Sequence, residues 1–165
     1  MNNEQSILST FFSGWQDYQS LLLKALAPLS PDQLNLRAAP NLRTIEEIAT
    51  HMIGARARWF YRDMKEGGDR FAELGQWDRK EMPVRSPAEI VEGLEATWQG
   101  MLAAMTRWSP EEWREQTNPN EAPSETRTWI IWHLIEHDLH HGGEISFTTE
   151  VNQGTTFRVT LPVAE

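Results

Sequence analysis

The chain has 165 residues, enough for one domain with a sizeable core of its own. It contains no cysteine, which excludes a disulfide framework and a thiolate nucleophile, so any bound metal must rest on His, Asp or Glu. Fifteen Lys and Arg against 24 Asp and Glu give a net charge of −9, which argues against general affinity for nucleic acid while leaving room for a local basic pocket.

The first residues, MNNEQSILST, have neither the basic segment nor the apolar core of a secretory signal. No stretch reaches membrane-spanning length, so a cytoplasmic protein without membrane contact is expected. Helical patterning then dominates. Long helices are predicted at 4–27, 44–66, 87–107 and 126–146, with short turns near 31–36 and 110–115. Four start signals support this reading: Ser30-Pro-Asp-Gln33, Thr44-Ile-Glu-Glu47, Ser86-Pro-Ala-Glu89 and Ser109-Pro-Glu-Glu112. Each sets a hydroxyl three residues before Glu or Gln, the capping-box spacing, and three of them carry Pro at the first helical position. The 67–85 segment is too long and mixed for a tight turn, so the second and third long helices need not be antiparallel neighbours. Four long helices in one chain predict an all-α four-helix bundle.

After the fourth helix the pattern changes. SFTTEV is strand-like, VNQG is a turn and TTFRVTLPV alternates, so 147–163 is expected to form a small β-hairpin. The expected organisation is a bundle over 1–147 and an extension of the same domain over 148–165. This tail resembles the last strand pair of histidine-kinase ATPase domains, which often end in GTTF-x-V-x-LP. The acidic and glycine-rich boxes that hold the nucleotide there have no counterpart, so ATP binding is not expected. Eight tryptophans are unusual at this length, and packing is the expected use for them.

HDLHHGGE, residues 137–144, holds three of the five histidines. At ~100° per residue and with His137 at zero, His141 lies at about +40°, His133 at about −40° and His140 at about −60°. Ile130, Leu134 and Ile145 share that arc, so the histidines point into the bundle. Neutral imidazoles in an apolar interior need partners, and a metal is an efficient one. The i, i+4 pair is the geometry of H-E-x-x-H zinc sites, although Asp138 stands where that motif has Glu. Spacing does not choose between His133/His137 and His137/His141. The remaining histidine, His51, sits at the edge of a core-facing stripe on the second long helix. His51, His137 and His141 together would supply three nitrogens from two helices and leave positions open, as catalytic metal sites do.

The order and spacing of these segments resemble the DinB/YfiT-like family of four-helix metalloenzymes. TIEEIATH, ending at His51, matches the family's second helix, and HDLHHGGE matches its H-x-x-x-H-R-G-Q. The similarity covers about 4–147, including LSPDQLNLRAAP. Two positions differ: Gly142 where the family often has Arg, and Glu144 where it has Gln. The resemblance implies an up-down-down-up bundle and a divalent metal on His51, His137 and His141, zinc first, with nickel, manganese and iron as alternatives. It also implies a thiol-dependent transferase or isomerase working with a small-molecule thiol.

Further roles follow as expectations. Glu144 is a candidate for orienting a ligand or a water, and His133 for proton transfer. Arg58 and Arg62 are candidates for holding a cosubstrate carboxylate. Ile131, Trp132, Ile135 and Leu139 form a second apolar face on the last helix, which predicts a homodimer. Two competing readings stand beside thiol transfer: a hydrolase on the same site, and a non-enzymatic metal-binding stress or interaction protein.

Overall fold

The structure is a computed structural model that describes residues 3–117 and 124–152. The described residues are predominantly helical, and no strand occurs among them; the one β-bridge pairs Gln116 with Thr126. Four long helices carry the fold: α1 (Asn3–Leu26), α3 (Ile45–Arg58), α5 (Pro87–Met105) and α7 (Arg127–Asn152). Three short ones sit in the connections: α2 (Pro31–Leu34), α4 (Gly68–Leu74) and α6 (Pro110–Arg114). Helix α3 packs against α5 and α7, and α1 packs against the same two. None of the helices among the described residues is long and apolar enough to cross a membrane.

All four capping boxes form. At α3, Thr44 Oγ1 accepts from the Glu47 N–H, while Glu47 Oε2 accepts from the Thr44 N–H at 2.7 Å. Each such cap satisfies backbone donors that the first turn would otherwise orphan, a stabilisation of about 1 kcal/mol. The core follows helical spacing. Helix α1 buries Trp15, Gln19, Leu22 and Leu26; α5 buries Ile90, Leu94, Trp98, Met101 and Met105. Helix α3 is buried on most sides, with Ile45, Ile48, Ala49, Met52, Ile53 and Ala57 all out of solvent.

Three features depart from the sequence-based expectation. The second long helix ends in a wide π-helical turn, Trp59–Asp63, which sets Phe60 into the core, stacked on Trp108 at 5.9 Å. The 67–85 link contains α4, entered through Gly67 at φ +83, a left-handed backbone that favours glycine. The third is a correction: the expected β-hairpin does not start at 147, because α7 runs on through Asn152 and across the 147/148 boundary. Thr148 and Thr149 turn their hydroxyls back to the carbonyls of Glu144 and Ile145, and Thr148 is buried, so SFTTEV extends a helix already nucleated. The rest of the expected hairpin, 153–163, lies outside the described residues.

Candidate metal centre

Helix α7 crosses α3 so that His137 and His141, one turn apart, meet His51. One ring nitrogen from each of the three lies within 4.8 Å of the other two. His51 Nε2 and His137 Nε2 are 3.2 Å apart. Two nitrogens each about 2.0–2.1 Å from one tetrahedral ion would sit about 3.4 Å apart, so this spacing suits a shared cation.

Carboxylates stand behind two of the rings. Asp78 accepts from His51 Nδ1 at 2.9 Å, and Glu144 accepts from His141 Nδ1 at 2.6 Å. With Nδ1 donating to its carboxylate, each of these rings keeps a lone pair on Nε2, the tautomer a metal ligand needs. Asp78 is itself clamped by Arg58, whose Nη2 donates to Oδ2 at 2.8 Å while Nη1 bonds Oδ1 and the Gly75 carbonyl. Burial pushes the Asp78 carboxyl up, but its bonds to His51 and Arg58 outweigh that and hold it well below the usual carboxylate range. Gly54 makes room for the clamp: a Cβ there would come within 2.8 Å of Arg58 Nη1 and 2.9 Å of Asp78 Oδ1.

His137 has no carboxylate behind it. Its Nδ1 is buried without a hydrogen-bond partner. Burial, reinforced by the neighbouring His141 and His51, lowers its pKa to about 3. His141 is also lowered by burial, although Glu144 pulls it partly back. These two rings are therefore neutral, lone-pair donors at neutral pH. Three imidazoles, two of them backed by carboxylates, are a donor set that fits a borderline divalent cation such as zinc.

The structure distributes the other expected site residues differently. His133 lies outside the three-nitrogen cluster, stacked on Trp129 at 5.2 Å and edge-on to Trp59 at 5.7 Å. Glu144 is beside the cluster through His141, and its other oxygen lies 3.6 Å from exposed His140. Arg58 does not project into open space as a carboxylate holder, because Asp78 occupies its guanidinium. Arg62 is 69% exposed and faces Asp63 at 3.4 Å.

Two contributors were not evident from sequence. Asp78 lies 27 residues from His51, inside the link that carries no regular pattern. The second is a buried ion pair: Arg56 and Asp138 join α3 to α7 at 2.7 Å, both side chains fully buried. Trp15 Nε1 donates to Asp138 Oδ2 at 2.7 Å, and Arg56 Nη1 reaches the Leu94 carbonyl and Thr97 Oγ1. This network ties the helix that carries His51 to the helix that carries His137. Gly142 has a local reason: a Cβ there would meet Tyr18 Oη at 2.0 Å and Leu22 Cδ2 at 2.9 Å, where α1 crosses α7.

The chain is similar to three solved structures at the level of fold. A DinB-like protein from Bacillus cereus ATCC 10987 matches with a TM-score of 0.67 and 19% identity, covering 92% of this chain and 95% of that one. A DinB-like protein from Bacillus subtilis gives 0.62 and 14%, over 91% and 96%. A conserved protein from Enterococcus faecalis gives 0.59 and 14%, over 87% and 95%. No curated protein matches. The DinB family model matches residues 1–149, nearly the whole helical body just described, and the chain belongs to the DinB family.

Proposed function

We propose that this protein is a divalent-metal-dependent enzyme whose ion is held by His51, His137 and His141, and that its reaction uses a small-molecule thiol as cosubstrate. The convergence of three imidazole nitrogens from two helices, two of them backed by carboxylates, carries this reading. A divalent ion bound there would keep its positive charge and lower the pKa of a thiol or water brought to it. The chain has no cysteine, so the sulfur in such a transfer or isomerisation comes from the cosubstrate.

The chain's own groups divide the work. Asp78 and Glu144 hold the outer rings in register and raise their basicity as donors. Glu144 is the half-exposed member of the pair and can exchange a proton with solvent while it orients His141. His133, between the tryptophans and one turn before His137, is the proposed proton-transfer group on the other side. Around the site we read α1, α3, α5 and α7 as an up-down-down-up bundle, the long 64–86 connection allowing α3 and α5 to run the same way. The location we propose is the cytoplasm, where low-molecular-weight thiols stay reduced.

A homodimer belongs to the same proposal. Phe11, Trp132 and Leu139 are each more than half exposed and border one apolar groove of about 300 Å³ between α1 and α7. Sedimentation at micromolar concentration should give twice the chain mass, and a monomer there ends the dimer proposal.

The decisive test of the centre is the metal content of untagged protein beside His51→Ala and His141→Ala. One equivalent in the wild type, lost in both variants, is expected. No binding after incubation with zinc, nickel or manganese overturns the reading. Saturation by a low-molecular-weight thiol then separates thiol transfer from hydrolysis, which would turn over with water alone.

A further inference from the structure

A cavity of about 490 Å³ opens beside His51 and Asp78, a volume suited to a small molecule. Its wall includes Arg43, Arg79 and Lys80. The chain has an excess of acids, so free cations are not expected to gather in one place. Yet among the described residues Arg43 and Arg79 are the two arginines whose side chains have no acceptor. The others are taken: Arg56 and Arg58 by aspartates, Arg70, Arg85, Arg107 and Arg127 by glutamates, Arg62 by Asp63, Arg37 and Arg114 by carbonyls. Lys80 likewise has no ion pair among the described residues.

Trp77 lines the cavity and is 6% exposed, and the Arg85 guanidinium lies 4.4 Å over its ring. Of the carboxylates on the wall, Asp78 has both oxygens taken, and Glu46 and Glu47 each have one oxygen on a backbone N–H. Glu46 accepts from the Arg85 N–H, Glu47 from the Thr44 N–H, and Asp78 from His51 and Arg58. Arg43 also borders a neighbouring cavity of about 300 Å³ shared with Glu144, so it stands between the His51 and Glu144 sides of the centre.

We infer that this cavity seats a carboxylate of the substrate or cosubstrate, received by Arg43, Arg79 and Lys80, with the reacting end of that molecule at the histidine centre. Guanidinium groups take a carboxylate in a two-point grip, and Lys80 adds a point charge. The inference rests on the metal-centre reading for what the seated molecule does, and it replaces Arg58 and Arg62 as the anion-holding residues.

The test follows the Trp77 indole N–H by NMR in the full chain, its signal assigned with Trp77→Phe. The probes are 3-mercaptopropionate, propionate and uncharged 2-mercaptoethanol. They are titrated into zinc-incubated and chelator-treated wild type and into Arg43→Gln/Arg79→Gln. Both carboxylates should move the indole signal with a Kd at least about tenfold below that of 2-mercaptoethanol. The double variant should lose that preference and keep the wild-type metal content. Equal affinity for charged and uncharged probes overturns the inference, as does a preference that survives in the double variant. Failure of the metal reading is visible separately. Without bound metal, an Arg43- and Arg79-dependent response to propionate still establishes the seat; with one equivalent bound and no such response, the seat falls and the metal centre stands.

Discussion

Two polar clusters join α3 to α7, and they are built on opposite principles. Arg56–Asp138 is closed: both side chains are fully buried, and Asp138 receives bonds from Arg56 and Trp15. The histidine cluster, one position along α7, is open. His51 keeps 26% of its side chain exposed, His137 Nδ1 has no partner, and two imidazole nitrogens face each other at 3.2 Å. A saturated buried network can only hold elements in place. Ring nitrogens that converge on one point, two of the rings held neutral by burial, can still take up a ligand. The same helix interface thus carries a lock that sets its register and a site that the register positions.

Breaking the lock should have the largest effect. Asp138→Ala leaves the Arg56 guanidinium buried and unpaired, which should cost about 3–5 kcal/mol. Urea unfolding of the chelated protein measures it. A loss below about 1 kcal/mol would mean that water or a shifted side chain replaces the carboxylate easily. Replacing both partners together, Arg56→Met with Asp138→Leu, should cost much less than either single change, because no charge is stranded.

Filling the open cluster should come next, with the opposite sign. Free zinc at about 100 times its Kd should stabilise the wild type by about 2.7 kcal/mol, since only the folded chain assembles the three rings. His51→Ala should show no zinc-dependent rise in Tm. An equal rise in the variant would place the ion elsewhere.

The carboxylates behind the rings should matter less than the rings themselves. Asp78→Asn keeps the shape of the clamp but removes the charge that fixes the His51 tautomer, and should weaken zinc affinity about 10–100-fold. Competition with a chromophoric chelator reads this directly. An unchanged affinity would reduce Asp78 to a partner of Arg58.

What could be read from the sequence was local. Each capping box lies within four residues, and each one formed. His137 and His141 are one turn apart, so one helical wheel puts them together. What could not be read depended on distant partners. Asp138 falls about 100° from His137 on the helix, and nothing nearby in the sequence indicates that Arg56, 82 residues away, neutralises it and lets it be fully buried. Asp78 sits in a segment without periodicity, so its bond to His51 had no pattern to reveal it. SFTTEV misled for a related reason. Alternation and β-branched residues favour a strand, but the preceding turns of α7 were already in place, and threonine hydroxyls can return to the helix carbonyls.

Acid should separate the two clusters by a smaller effect. In the chelated protein, burial holds the His137 pKa near 3, against an ordinary value of 6.5. Between those values the unfolded chain binds a proton that the folded chain refuses. The stability associated with a neutral His137 is therefore full above pH 6.5, declines as pH falls, and is gone by about pH 3. His141 acts in the same direction, with Glu144 opposing it. Asp78 loses its contribution only below its ordinary value of 3.8, so pH 6.5 to about 4.5 reports the histidines rather than the carboxylate. Urea midpoints at pH 7.5, 6.0 and 5.0 should fall steadily in wild type and be flatter in His137→Asn. Parallel slopes would show that His137 takes up a proton in the folded state. The ring would then be charged near pH 6 in the metal-free protein, and the contrast between a closed lock and an open, neutral donor set would fail on its histidine side.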